Sequence, residues 1–272
     1  MRTLIKPPRG FIRINLKEML AYRDLLIFLV KRDIKIRYSQ TIAGVGWAII
    51  NPIFQMIVFT FVFDKIAKID TNGIPYPIFS YSALVPWTLF SVSLNLSTNS
   101  LTNQKALITK VYFPRLFIPL STIMANFLDY FIAFIILILL MLYYSIVPTF
   151  FAIVGTFLLS GLIILLSFGL GSFLTSLSVQ YRDVKHGIAL IIGIWVYATP
   201  VAYPIELVPE NLRFIYSFNP MVGIIANYRS LLLGTEPFYL NELFFSIFLV
   251  GLCLIVGIYV FNTKSGKFAD VV

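Results

Sequence analysis

Trp47, Phe54 and Phe61 recur at seven-residue intervals, with Asn51, Gln55 and Val58 between them. On a helix these positions lie on nearly one face. Aromatic rings beside amides suit a carbohydrate, whose C–H faces lie on rings while its hydroxyls bond to amides. Two further stretches repeat the mixture. Ser80, Trp87, Ser91 and Thr98 fall on one side of a second helical stretch, and Trp195, Thr199 and Tyr203 follow one another turn by turn in a third. Two plainer readings compete with a sugar-lined surface. Ser, Thr and Asn also bind membrane helices to each other, and Trp and Tyr form belts where a helix leaves the bilayer.

Other reactive side chains are sparse. Cys253 and His186 are the single cysteine and histidine, so the chain offers no internal disulfide and no His/Cys metal cluster at a familiar spacing. Cys253, inside an apolar stretch, reads as packing. Gly266-Lys267 is followed by Phe268 and lacks a preceding glycine at the right distance, so no phosphate-binding loop of the G-x-x-x-x-G-K-[ST] kind exists. H-E-x-x-H and G-x-S-x-G are missing as well. The acids Asp64, Asp70, Glu206, Glu210, Glu236 and Glu242 are scattered and form no paired-carboxylate pattern. Asp129 stands within an apolar run, beside Tyr130 and near Asn126. With no second acid or histidine to relay protons, it reads as a structural hydrogen-bonding group, with a coupling site as the alternative. Ser167, Gly171 and Thr175, four apart, mark a face for close packing against a neighbouring helix.

The elements that must position these residues follow from composition. Of 272 residues, 59% are hydrophobic and only 12% are charged, and the mean hydropathy is +0.89. A soluble domain carries about 25% charged residues. Soluble globular folding and disorder are both excluded, which leaves an all-α polytopic membrane protein. Six stretches are expected to cross: 42–63, 76–98, 116–146, 149–179, 188–203 and 240–261. The fifth is short and ends near Pro200 and Pro204. The segment 204–239, broken by Pro209, Pro220 and Pro237, is expected to form a re-entrant or interfacial helical pair buried against protein. A seven-span count would place the termini on opposite sides. The six-span arrangement puts 17 of the 21 Lys and Arg residues on one side, which by the positive-inside rule makes both termini cytoplasmic. Topology therefore accounts for the net charge of +9, without nucleic-acid binding. The first 41 residues lack a signal-peptide pattern, so the spans themselves are expected to hold the chain in the membrane. Phe11 to Val30 reads as an amphipathic interfacial helix: Arg13, Lys17, Asp24 and Lys31 share one face, with Tyr22, Leu26 and Leu29 opposite. It is either a simple anchor or a docking surface for a soluble subunit.

The run Arg32-Asp33-Ile34-Lys35-Ile36-Arg37-Tyr38, followed by Thr41, Gly44, Trp47 and Pro52, resembles the start of type-2 ABC exporter permeases of the polysaccharide branch. These are the Wzm-like O-antigen and TarG-like teichoic-acid subunits. Lys110-Val111-Tyr112-Phe113-Pro114-Arg115, Tyr181-Arg182-Asp183 and Asn219-Pro220 are similar to that family too, and the likeness runs from about Phe11 to Phe261. The resemblance implies a homodimer in the bacterial inner membrane, joined by two copies of a cytoplasmic ABC ATPase. ATP and Mg would sit on that partner, and this chain would bind no cofactor and have no catalytic site. A coupling helix over about 99–113 would press Gln104, Lys105, Leu107, Ile108, Lys110, Tyr112 and Phe113 against the ATPase, with Arg13 and Lys17 nearby. The helices over about 204–239 would form an extracytoplasmic gate.

The substrate implied is a lipid-linked cell-surface polysaccharide, O antigen first, with teichoic acid or capsule as alternatives. A polymer longer than the membrane needs a continuous gated channel, and Trp47, Asn51, Phe54, Gln55, Phe61, Ser80, Trp87, Ser91, Trp195, Thr199 and Tyr203 are its candidate lining. Two other classes compete. A permease for small or lipid-like molecules would present an aliphatic axis. A membrane-embedded glycan-processing enzyme would need convergent acids or histidines, which the sequence lacks.

Overall fold

The computed structural model describes residues 16–39, 46–104, 113–234, 237–266 and 268, and every regular element among them is helical. In chain order these are α1 (Leu16–Ala21), α2 (Arg23–Tyr38), α3 (Gly46–Phe59), a π-helical continuation (Thr60–Ile66), α4 (Tyr76–Asn103), α5 (Phe117–Tyr143), α6 (Phe150–Ser178), α7 (Asp183–Trp195), a 3-10 turn (Ile205–Leu207), α8 (Glu210–Tyr216), α9 (Pro220–Leu233) and α10 (Leu240–Ser265). Five helices are long and apolar enough to cross a membrane: α3 with its continuation, α4, α5, α6 and α10.

The fifth expected crossing takes a different form. α7 starts at Asp183, ends at Trp195 and is 13 residues long, short of the about 20 that a bilayer requires. Pro200 lacks an N–H, and its ring collides with the carbonyl four residues back, at Val196. The helix therefore stops and the chain runs on in turns.

α4 is the central post. It packs against α3, α5, α6, α7 and α9, and 78% of its most apolar window is buried. A helix that meets protein on all sides can carry hydroxyls. Ser82, Ser97 and Ser100 are buried, and each donates to a carbonyl one turn back in α4, Phe79, Leu94 and Ser97 respectively. α6 lies beside it through the small-residue face expected from sequence. A Cβ on Gly171 would collide with Ser97, and the Ser178 hydroxyl donates to the Thr98 carbonyl at 2.7 Å.

α6 and α10 approach more closely still. A Cβ on Gly257 would fall within the Gly169 carbonyl group, and one on Gly169 would sit 2.6 Å from the Leu254 nitrogen. Both neighbours are backbone, so neither can turn aside. Gly257→Ala is expected to destabilise the detergent-solubilised protein by about 1–3 kcal/mol through overpacking. Gly251→Ala, on the same helix with open space around it, is expected to be neutral or slightly stabilising. Thermal unfolding of the two variants checks the contrast.

At the end of the bundle where α2 sits, Leu29 packs with Leu101, Phe113, Phe117 and Phe261. The expected N-terminal helix over 11–30 is broken at Tyr22 and continues as α2 through the whole Arg32–Tyr38 run. Asp24 and Lys31 are exposed opposite the buried Leu29, and Tyr22 is exposed as well. Within 204–239, α9 is the main element. It is capped by the Asn219 side chain, which accepts from the Met221 N–H, and closed by Gly234 at φ +68. At 14 residues it extends about 21 Å, too short to cross. It is buried against α4, α6 and α10.

Candidate functional site

The five candidate residues of the first span lie on open surface. Trp47 is 53%, Phe54 65% and Phe61 62% exposed, and Asn51 and Gln55 are exposed beside them. Pro52 and Phe59 are the residues of α3 that bury themselves, so the helix leans on α4 and α5 by a narrow edge.

The candidates on α4 are placed otherwise. Ser80 is fully buried and donates to the Pro77 carbonyl, and Trp87 is a core residue with its ring 5.6 Å from that of Phe90. Ser91 is half-buried and donates to Thr88. A central post has neighbours on every side, so a polar stripe along it meets other helices. Ser80 and Trp87 are buried within the protomer and line no open surface of it.

Trp195 is half-buried and edge-on to Phe90 at 5.2 Å, so Trp87, Phe90 and Trp195 form one aromatic cluster. Thr199 is buried, and its hydroxyl donates to the Trp195 carbonyl. Tyr203 donates to the Tyr197 carbonyl and lies 3.0 Å from the Tyr216 hydroxyl. Burial, together with Tyr203, pushes the Tyr216 phenol above its ordinary value and keeps it protonated.

Between α3 and the α4–α5 pair lies a cavity of about 320 Å³. Trp47 and Asn51 line it from α3, Val85, Thr88 and Leu89 from α4, and Asn126, Asp129 and Tyr130 from α5, with Arg37 at one end. Asp129 is paired there. Arg37 Nη1 donates to Asp129 Oδ2 at 2.6 Å and to Asn126 Oδ1 at 3.1 Å. Asn126 passes the connection on, donating to Ser93 Oγ at 3.0 Å. A second tie runs parallel. Arg32 holds Asp33 at 2.7 Å, and Asp33 accepts from Ser121 on α5 at 2.8 Å. α2 is thereby fastened to α5 at two points, both through the basic run singled out from sequence. Asp129 Oδ1 is buried in the cavity wall with no hydrogen-bond partner among the described residues.

Of the residues expected at an ATPase interface, Lys105, Leu107, Ile108, Lys110, Tyr112 and Arg13 lie outside the described residues, and Lys17 falls in α1. Gln104 follows the last turn of α4, which continues to Asn103 and takes up the start of the expected coupling helix. Phe113 is buried in the cluster around Leu29. Its ring packs within the protomer, in the same cluster as Leu29 of α2. Among the described residues no three His, Cys, Asp or Glu side chains gather to hold a metal.

Residues 24–233 match the family described as ABC-2 type transporter. The chain belongs to the ABC-2 transporter family. The match runs from the first turn of α2 to the last residue of α9 and so contains both ties between α2 and α5. Among curated relatives, this ABC-2 transporter chain is similar to an O-antigen export system permease protein, RfbA, of Klebsiella pneumoniae. The identity is 28% over 95% of this chain and 99% of that one. RfbA of Myxococcus xanthus is 30% identical over 79% of this chain and 82% of its own. A polysialic acid transport protein, KpsM, of Escherichia coli is 23% identical over 87% and 92%.

Proposed function

We propose that the chain is the transmembrane subunit of an ABC exporter that carries a lipid-linked cell-surface polysaccharide, O antigen first, out of the cytoplasm across the inner membrane. Support comes from relatives named for O-antigen export at 28–30% identity and for polysialic acid transport at 22–23%. The latter favour a capsular polymer as the second reading. Two copies of the chain would assemble with two copies of a partner ATPase, and ATP and Mg would belong to that partner. The six crossings would be α3 with its π-helical continuation, α4, α5, α6, α7 with the turns after it, and α10. Both termini would be cytoplasmic, by the Lys and Arg distribution. α8 and α9 would form the gate on the outer side.

The observation that carries the path is the exposure of α3. Only 6% of the most apolar window of this crossing is buried, yet Asn51 and Gln55 place two amides on it. Amides at membrane depth are costly against lipid and settle where protein, water or a polar ligand faces them. A second copy at a shared axis, with polymer between the two, would meet that need. Trp47, Phe54 and Phe61 would offer sugar rings a smooth wall, and Asn51 and Gln55 would exchange hydrogen bonds as the chain slides. Trp195 and Tyr203 would continue the wall near the gate.

Mild extraction from native membranes tests the assembly. A stoichiometric ATPase is expected to co-purify. The double reversal Lys105→Glu with Lys110→Glu is expected to reduce its recovery at least about tenfold, because like charges replace complementary ones at the contact. Repeated extractions without any ATPase would remove the exporter reading.

A further inference from the structure

Where α7 ends, a row of carbonyls is left without helical partners. Each of eight consecutive carbonyls nevertheless receives a donor. Trp195 accepts from the Thr199 hydroxyl, Val196 from the Thr199 N–H and Tyr197 from the Tyr203 hydroxyl. Ala198 accepts from Asn219 Nδ2 at 2.9 Å, and Thr199 from the Val201 N–H. Pro200 and Val201 both accept from Arg229 Nη2, at 2.8 and 3.2 Å, and Ala202 from the Tyr76 hydroxyl at 2.6 Å. Asn219 and Arg229 belong to α9 and its cap, and Tyr76 opens α4.

Arg229 is the centre of this clasp. It is fully buried, and its guanidinium lies over the Phe79 ring, 3.7 Å from the centroid. Burying a guanidinium is costly. Here the cost is offset by charge-assisted bonds to two carbonyls and by the ring face. Irregular backbone at membrane depth either presents its carbonyls to a ligand or spends them on protein. In this clasp they are spent on protein.

We infer that Arg229 is a positioning residue that fastens the unwound stretch 195–203 to α9 and to the start of α4, so that the three move as one body when the permease opens. Trp195 and Tyr203 keep their places because of it, and opening takes place at another surface. This inference rests on the chain being a transport permease. It does not depend on which polymer is carried or which side chains line the path.

The test uses the full permease with its partner ATPase. Cys253, the one cysteine, is replaced by Ala, and the pair Ala198→Cys and Asn219→Cys is joined by a short reversible bis-thiol reagent. Cross-linking yield is expected to be the same in the resting and nucleotide-trapped states, and the joined permease is expected to export at the rate of its own reduced form. Loss of yield on trapping, or export that stops on joining and returns on reduction, would show that the two elements must part and would overturn the inference. The comparison of yields needs no polymer, so a mistaken substrate cannot imitate either result. In the same background, Arg229→Met is expected to lower yield and export at least about tenfold, the equivalent of one lost charge-assisted hydrogen bond. Arg229→Lys is expected to restore part of both, since an ammonium reaches one carbonyl but lacks the fork. Unchanged yield in Arg229→Met also overturns the inference. If that variant does not assemble, Arg229→Lys against the parent carries the same comparison.

Discussion

Asp129→Ala is expected to destabilise the permease by about 2–3 kcal/mol, somewhat less than the about 3–5 kcal/mol for removing one member of a fully buried ion pair. The discount reflects partial access, since the Arg37 and Asp129 side chains keep 24% and 21% of their exposure. Truncation leaves the Arg37 guanidinium against apolar walls, with the Asn126 side chain still accepting from it. It also loosens α2 from α5, where Asp33 and Ser121 make the other tie. Export is expected to fall at least about tenfold if α2 carries force from the ATPase into the spans, because that fall corresponds to only about 1.4 kcal/mol of lost coupling. Arg37→Ala is expected to do the same, and the double Ala variant to lose less than the sum of the two. A double-mutant cycle on thermal unfolding, read beside export, measures the coupling. Strict additivity would mean that the 2.6 Å contact is not a functional link.

The second large effect separates surface from core among the tryptophans. Trp47→Ala and Phe54→Ala are expected to fold normally, within about 0.5 kcal/mol of the parent, because they alter exposed side chains. They are also expected to retain the ATPase, and to lose export at least about tenfold where rings are needed under a moving polymer. Trp87→Ala is expected to behave in the opposite way. It empties a core position and destabilises by about 3–5 kcal/mol, so any loss of export would track loss of folded protein. Quantifying folded permease and exported polymer in the same membranes distinguishes the two. Normal export by Trp47→Ala, Phe54→Ala and Phe61→Ala would remove the first span from the path.

The contrast between Trp47 and Trp87 also marks where the sequence is legible. Seven-residue spacing places Trp47, Phe54 and Phe61 together on a helix, and helix geometry alone is enough for that. Spacing does not reveal what a face meets. The polar stripe of α4 reads like that of α3, yet α4 stands at the centre, and its serines are satisfied by its own backbone. The small-residue face at Gly171 is legible because close packing admits few residue types, although its neighbour, α4, is not. Asp129 looks solitary in the sequence because its partner is 92 residues away in the chain. The basic run containing Arg37 is conspicuous, but nothing local says that its helix reaches the third span. The early end of the helix over Asp183–Trp195 is visible in Pro200 and Pro204. The clasp that holds the resulting turns depends on Arg229 and Tyr76, whose sequence neighbourhoods carry no sign of it. By sequence alone Arg229 is simply one charge on the outer side.

The most direct measurement is depletion of this chain in its native cell, with separate quantification of surface polysaccharide and of lipid-linked polysaccharide held inside. The account predicts that the surface polymer disappears while full-length lipid-linked polymer accumulates on the cytoplasmic side, and that re-expression reverses both. Unchanged surface polymer, or loss of polymer with no accumulation inside, would contradict an export role and place the chain's work elsewhere.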